Sequence, residues 1–276
     1  MRRIRAAWAL AAVVLPMAII PQSRATTPVS PVSPVNHYQK QVANLFFNRG
    51  DVPSGNLWVP TSDAGQLPAA NPYRGRLATY PTGWGSPAAG VYHPETALSV
   101  SGGVLSITGK AVNGVVCGGN VEPVATDNPL GARTYGRVVY RMRATGASGF
   151  GFAALQWPSD DSGQFEFDHE GAMLPGTVDN GNYHYAYHDG SIGWRAAGGQ
   201  QLSNWHTYQN DWWPGGMAFY IDGTQVFTTV GSGFPYPTIP MRWLVQLQRM
   251  WGNPPLVANS TATIQLAYVK EWAYNS

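Results

Sequence analysis

Three carboxylates occupy alternate positions in Gln164-Phe165-Glu166-Phe167-Asp168-His169-Glu170-Gly171. Read as a β-strand, this stretch sets Phe165, Phe167 and His169 on one face and Glu166, Asp168 and Glu170 on the other. Like charges ~7 Å apart on one strand face repel, and folding alone does not call for them. The chain has only 15 acidic residues in 276, so three on one face is a concentration. Residues i and i+4 of a strand have Cα atoms roughly 13 Å apart. Two Glu side chains leaning over the residue between them bring their carboxyls to the ~5–5.5 Å used by a nucleophile and an acid/base in retaining glycoside hydrolysis. Asp168, between them, reaches either neighbour and can keep one protonated while the other stays ionised. Residue type alone does not decide which Glu plays which part. The competing reading is a solvated strand face with scattered acids.

Such a strand needs neighbours that bury its aromatic face and leave its carboxylates open. Leu98-Ser99-Val100-Ser101 and Val104-Leu105-Ser106-Ile107-Thr108-Gly109 read as two strands across Gly102-Gly103. Further strands are expected at 136–144, 151–156, 182–188, 206–212, 217–221, 225–229, 241–248 and 263–274, with Asp222-Gly223 as a hairpin turn. Residues 38–90 read as loop-rich. No stretch holds a helical period over three turns, so the fold expected is all-β, two antiparallel sheets packed as a sandwich.

Arg2, Arg3 and Arg5, the apolar run from Ala6 to Ile20 and Ser23-Arg24-Ala25 read as a signal peptide over residues 1–25, which predicts secretion. Thr26 to Asn36 (TTPVSPVSPVN) reads as an extended Pro/Ser/Val linker, drawn to residue 38, and residues 39–276 as one domain. The first 25 residues hold four of the 17 Lys and Arg and no acids, so the rest carries a formal −2 against +2 for the whole. That charge offers nothing to nucleic acid or to an anionic membrane, and a monomer is expected. Cys117 is alone, so no intrachain disulfide is expected, and it reads as a small buried residue.

Glu166-Phe167-Asp168-His169-Glu170 resembles the active-site strand of glycoside hydrolase family 16, in the regular E-x-D-x-E form of lichenases and xyloglucan transglycosylases. Other stretches resemble the same family: Tyr92-His93-Pro94-Glu95, Tyr135-Gly136-Arg137 with Tyr140-Arg141-Met142-Arg143, Gln156-Trp157-Pro158, Trp205-His206-Thr207-Tyr208 through Phe219-Tyr220-Ile221-Asp222-Gly223, and Tyr268-Val269-Lys270-Glu271-Trp272. The resemblance implies a β-jelly roll of concanavalin A type, with a glycan cleft crossed by the carboxylate strand. It makes Glu166 the nucleophile, Glu170 the general acid/base, and Asp168 the residue that orients and tunes them.

For sugar binding, the candidates are Trp157, Tyr185, Tyr187, Gln246, Gln248 and Trp251, with Trp84, Trp194 and Trp213 as further stacking surfaces. Tyr183, Tyr185 and Tyr187 share one strand face, and His184 and His188 share the other, too far apart to be paired metal ligands. Two positions depart from the family pattern. His169 replaces an apolar or aromatic residue. Ala267 replaces an Asp that helps bind a structural Ca²⁺ in the family, which leaves a calcium requirement open; no catalytic metal and no cofactor is expected. The leading expectation is an endo-acting β-glycosidase on β-1,3/1,4-glucan. The alternatives are a transglycosylase on the same site and a glycan-binding lectin, which needs no nucleophile. A lyase could draw only on His184, Tyr187 and Arg195.

Overall fold

The computed structural model describes residues 37–47, 76–86, 90–127, 132–163, 165–173, 182–187, 192–196, 200–250 and 255–275; for 172–173, 182–187 and 192–196 it describes the backbone alone. The segment expected as signal peptide lies outside the described residues, as do Trp251 and His188. His37 and Tyr38, placed at the end of the linker by composition, belong to the folded unit. The His37 ring stacks on Tyr274 at 5.0 Å and its Nδ1 lies 2.6 Å from the carbonyl oxygen of Asn275, while the Tyr38 hydroxyl donates to the carbonyl of Trp212.

In chain order, β1 (Lys40–Phe46), β2 (Leu77–Ala78), β3 (Gly85–Ser86) and β4 (Gly90–Tyr92) precede one helical turn, α1 (Pro94–Ala97). Then come β5 (Leu98–Ser101), β6 (Val104–Val112), β7 (Val115–Pro123), β8 (Gly136–Gly146), β9 (Phe150–Pro158) and the carboxylate strand β10 (Phe165–Met173). β11 (Asn182–Tyr187), β12 (Ile192–Ala196), β13 (His206–Trp213), β14 (Gly216–Ile221), β15 (Thr224–Thr228), β16 (Met241–Arg249) and β17 (Thr261–Ala273) follow. The strands are nearly all antiparallel and curl into two layers. One runs β5, β6, β17, β8, β13, β14, β15, with β1 alongside the second half of β17. The other runs β7, β16, β9, β10, β11, β12. The β6–β7 hairpin joins them. This is the two-layer antiparallel sandwich expected from the strand pattern, and the jelly roll that the resemblance implies.

The alternation that marks the strands also builds the core. Val138, Tyr140 and Met142 of β8 and Ile264 and Leu266 of β17 meet Phe150, Phe152 and Ala154 of β9, Phe165 and Phe167 of β10, and Trp243, Val245 and Leu247 of β16. These side chains are withdrawn from water almost completely, which is the main stabilising contribution. Tyr140 stacks on Tyr208 at 5.3 Å and meets Trp243 at 4.7 Å. One polar link crosses the core: Asn210 of β13 donates from Nδ2 to Oε1 of Gln156 of β9 at 3.2 Å, and both residues are fully buried. A buried amide pair of this kind stabilises only when its hydrogen bonds are made, so it holds the two layers in one relative register.

Six strands depart from the sequence expectation: β1, β2 and β3 within the stretch read as loop-rich, β4 at its end, and β7 and β12. In β7, Gly118-Gly119 breaks the pattern of β-branched residues that announces a strand. The glycines are there because neighbours come close. A Cβ on Gly118 would overlap the backbone carbonyl of Leu247, and one on Gly119 would lie 2.8 Å from the Cβ of Ala97.

Candidate active site

Phe165 and Phe167 take the core face of β10, and the two-residue period therefore turns Glu166, Asp168 and Glu170 onto the opposite, outward face of their layer. Glu166 is half-buried, whereas Asp168 is 1% and Glu170 6% exposed. Asp168 forms side-chain hydrogen bonds with both Glu166 and Glu170. Burial, followed by the negative charge of Glu170, pushes the Asp168 carboxyl well above the usual carboxylate range. The bond with Glu170 favours the protonated Asp168, and the bond with Glu166 favours the ionised one. Asp168 thus stands at the middle of the three carboxyls and is bonded to both of the others.

His169 points the other way, into the core. Its ring is fully buried, 4.3 Å from the Tyr208 ring and 5.4 Å from Phe152. The imidazole thus fills the place of an aromatic core residue, as its position on the aromatic face of the strand implies.

Strand register extends the carboxylate face sideways. Asp168 pairs with Leu155 and Glu170 with Ala153 on β9. These in turn pair with Leu244 and Gln246 on β16, where Trp157 pairs with Arg242 and Gly151 with Gln248. Gln246 then pairs with Asn120 on β7. Paired residues of adjacent strands share a face, so Trp157, Gln246 and Gln248 lie on the carboxylate face of this layer. Gln246 Nε2 donates to Gln248 Oε1 at 2.8 Å and Gln246 Oε1 accepts from the Tyr92 hydroxyl at 3.0 Å. Trp157 Nε1 donates to Asp161 at 3.0 Å, and Arg242 donates to the same oxygen.

On the other flank, β11 is registered so that His184 pairs with Asp168 and Asn182 with Glu170. Tyr185 and Tyr187 pair with Phe167 and Phe165, the core-facing residues. The sequence grouped the three Tyr on one face; the pairing sets that face against the Phe positions, and puts Asn182 and His184 at the register positions of the carboxylates. Trp194 of β12 pairs with His184. Trp251 lies outside the described residues.

Residues the sequence did not single out complete the face. Tyr80 donates its backbone N–H to Asn120 Oδ1 at 2.7 Å and packs 5.0 Å from Tyr92 and 5.8 Å from Trp84. Its phenol is raised by burial and then by the charges of Glu122, Asp161 and Glu166, which brings it into the field of the carboxylate strand. Trp84, named among the further stacking surfaces, is 56% exposed. Glu122 is a further buried carboxyl on this side, raised to about 7 because burial outweighs Arg242, 3.8 Å away. Among the described residues no group of three or more His, Cys, Asp or Glu is arranged to hold a metal ion.

Geometrically, this is a sheet face with two carboxyls bridged by a third, and with an indole and two amides beside them on β9 and β16. It can protonate a leaving oxygen, attack an acetal carbon and hydrogen-bond sugar hydroxyls. Solved structures agree on the fold. A LamA variant from Z. galactanivorans in complex with laminaritriose and laminaritetraose superposes with a TM-score of 0.60 at 15% identity, over 86% of this chain and 100% of that one. The β-glucanase of Bacillus licheniformis gives 0.58 at 14% identity, over 85% and 98%. A family 16 endo-glucanase from Bacteroides ovatus gives 0.55 at 17% identity, over 71% and 93%. No curated protein matches the chain at a significant level. The profile of glycosyl hydrolases family 16 matches residues 130–272, more than half of the 276-residue chain. That match takes in the carboxylate strand, both strands flanking it and the closing strand β17, and on it the chain belongs to glycosyl hydrolases family 16.

Proposed function

We propose that this chain is a secreted retaining endo-β-glycosidase that cleaves β-1,3/1,4-glucan through a covalent glycosyl-enzyme intermediate. The observation that carries the reading is Asp168, buried between Glu166 and Glu170 and hydrogen-bonded to both. In the first step Glu170 protonates the departing glycosidic oxygen while a carboxylate oxygen of Glu166 attacks the anomeric carbon. Glu166 becomes an ester and loses its charge; Glu170 is left ionised. Protonated Asp168 then donates to Glu170, the arrangement that its bond with Glu170 favours, and holds the base that the second step needs. Glu170 takes a proton from water, and the water oxygen displaces Glu166 from the sugar. Trp157, Gln246 and Gln248 supply a stacking surface and amide partners on the same face. A lectin has no use for three carboxyls bonded together. The glucanase neighbours support β-glucan as the substrate class, and the basic and apolar start of the chain supports export.

The test is reducing-sugar release from mixed-linkage glucan, laminarin and xyloglucan by the protein and by Glu166→Gln. Release that vanishes in the variant is the expected result. Undiminished release by the variant would overturn the assignment of the nucleophile.

A further inference from the structure

Charge is segregated between the two layers. Glu122, Asp161, Glu166, Asp168 and Glu170 lie on the carboxylate side, where Arg242 is engaged with Asp161 and Glu122. The outward face of the other layer is the reverse. Along β8, Val138, Tyr140, Met142 and Ala144 point into the core, so Arg137, Arg141 and Arg143 point away from it. Register places Tyr268 of β17 beside Arg141 and Lys270 beside Val139, and on the far side Phe46 of β1 beside Tyr268.

The cations on this face are not neutralised alike. Arg137 is matched by Asp211 through two bonds of 2.6 Å. Arg141, Arg143 and Lys270 are held by neutral groups instead. Lys270 Nζ lies 4.6 Å from the Phe46 ring and 5.0 Å from the Tyr268 ring; the Arg143 guanidinium lies 4.9 Å from Trp205 and donates to Gln265 at 2.7 Å; Arg141 lies 5.9 Å from Trp205 and donates to Thr207 at 3.3 Å. Arg141 also acts through its charge on Asp222, which accepts from Thr207 N–H and lies 2.6 Å from His206 Nδ1. A solvated sheet face normally interleaves both signs. Here three cations are oriented by aromatic faces and uncharged oxygens, and none of them forms an ion pair among the described residues.

We propose that this outer face, on the layer opposite the carboxylate cleft, is a second binding site for a carboxylated polysaccharide. Arg141 and Arg143 stand two residues apart on one strand, about 7 Å, with Lys270 on the next strand. Successive uronate groups along a glycan strand can reach them, and the half-buried rings of Phe46, Trp205, Tyr268 and Trp272 supply apolar faces for sugar rings. The site holds the protein on an anionic matrix with its cleft turned away. It makes no use of the cleft chemistry, and stands or falls separately from it.

The test is affinity electrophoresis of the 276-residue chain freed of residues 1–25, in gels carrying polygalacturonate, neutral mixed-linkage glucan or inorganic polyphosphate. A triple variant, Arg141→Gln, Arg143→Gln and Lys270→Gln, runs beside it; a Lys110→Gln variant and a melting curve control for charge loss and for folding. The expected result is retardation by polygalacturonate that weakens on the order of tenfold between 50 and 200 mM salt. The triple variant should lose it while keeping its melting temperature, and Lys110→Gln should keep it. Absence of retardation, equal retardation of the triple variant, or polyphosphate retarding as strongly as polygalacturonate would each overturn the proposal, the last because no sugar is then being read.

Discussion

Asp168→Asn separates chemistry from architecture at the centre of the site. The substitution keeps the shape and leaves an NH2 group that only donates and a carbonyl that only accepts, but the wild-type carboxyl serves two partners whose charges change during the reaction. After the first step, when Glu170 is ionised, Asn can donate to it, but an N–H donor is weaker than a carboxylic O–H; before that step, when Glu166 is the ionised partner, the Asn oxygen faces a carboxylate and the bond is lost. A hydrogen bond to a charged group contributes about 1.5–3 kcal/mol, so kcat/KM should fall about 10- to 150-fold. Stability should move the other way. The Asp168 pKa is raised in the fold, so its contribution is fully present below the unfolded carboxylate value and is lost as pH rises through the folded one. Asn does not titrate, and the melting temperature of the variant should therefore gain on the wild type as pH is raised from 4 to 8. The assay is mixed-linkage glucan hydrolysis alongside melting curves across that range. A kcat/KM within twofold of wild type, or a melting temperature lowered equally at every pH, would refute the reasoning.

Two further outcomes concern stability. Glu122→Gln should flatten the pH dependence: with the carboxyl raised from 4.5 to about 7, the wild type loses at most about 3 kcal/mol between those values as pH rises, and the variant keeps it. An unchanged difference in melting temperature between pH 4.5 and pH 8 would contradict this. Asp211→Ala strands the Arg137 guanidinium beside a fully buried, emptied position, at a cost of about 3 kcal/mol or roughly 10 °C in melting temperature by calorimetry. A loss under 2 °C would mean that solvent already screens the pair.

How legible was this in the sequence? The carboxylate strand was, because Phe165, Phe167 and His169 on one side and three acids on the other leave one consistent orientation. The β5–β6 hairpin was too, since Gly102 and Gly103 both adopt positive φ, as the tight turn requires. Strand β7 was not, because its glycines answer to Leu247 and Ala97, residues remote in the chain. The Tyr185 and Tyr187 positions show a subtler limit. Alternation groups residues onto faces, but only pairing with β10 says which face is which, and a shift of one residue would have exchanged the Tyr for Asn182 and His184. Tyr80 was beyond reach altogether: its place beside Asn120 and in the field of Glu166 is a tertiary fact.

Strand β17 runs between β8 on one side and β6 and β1 on the other, and His37 meets Asn275 across 238 positions of sequence. A ribosome therefore releases β1, β6 and β8 long before the strand that pairs all three exists. Until then their edges are open, the core between the layers has no lid, and the nascent chain is both slow to fold and ready to pair with others. Premature stops before Thr261 should accordingly yield insoluble material and not a weakened enzyme. Under the proposed export, the same delay is an asset, because a chain exported unfolded stays threadable until its last long strand has been made.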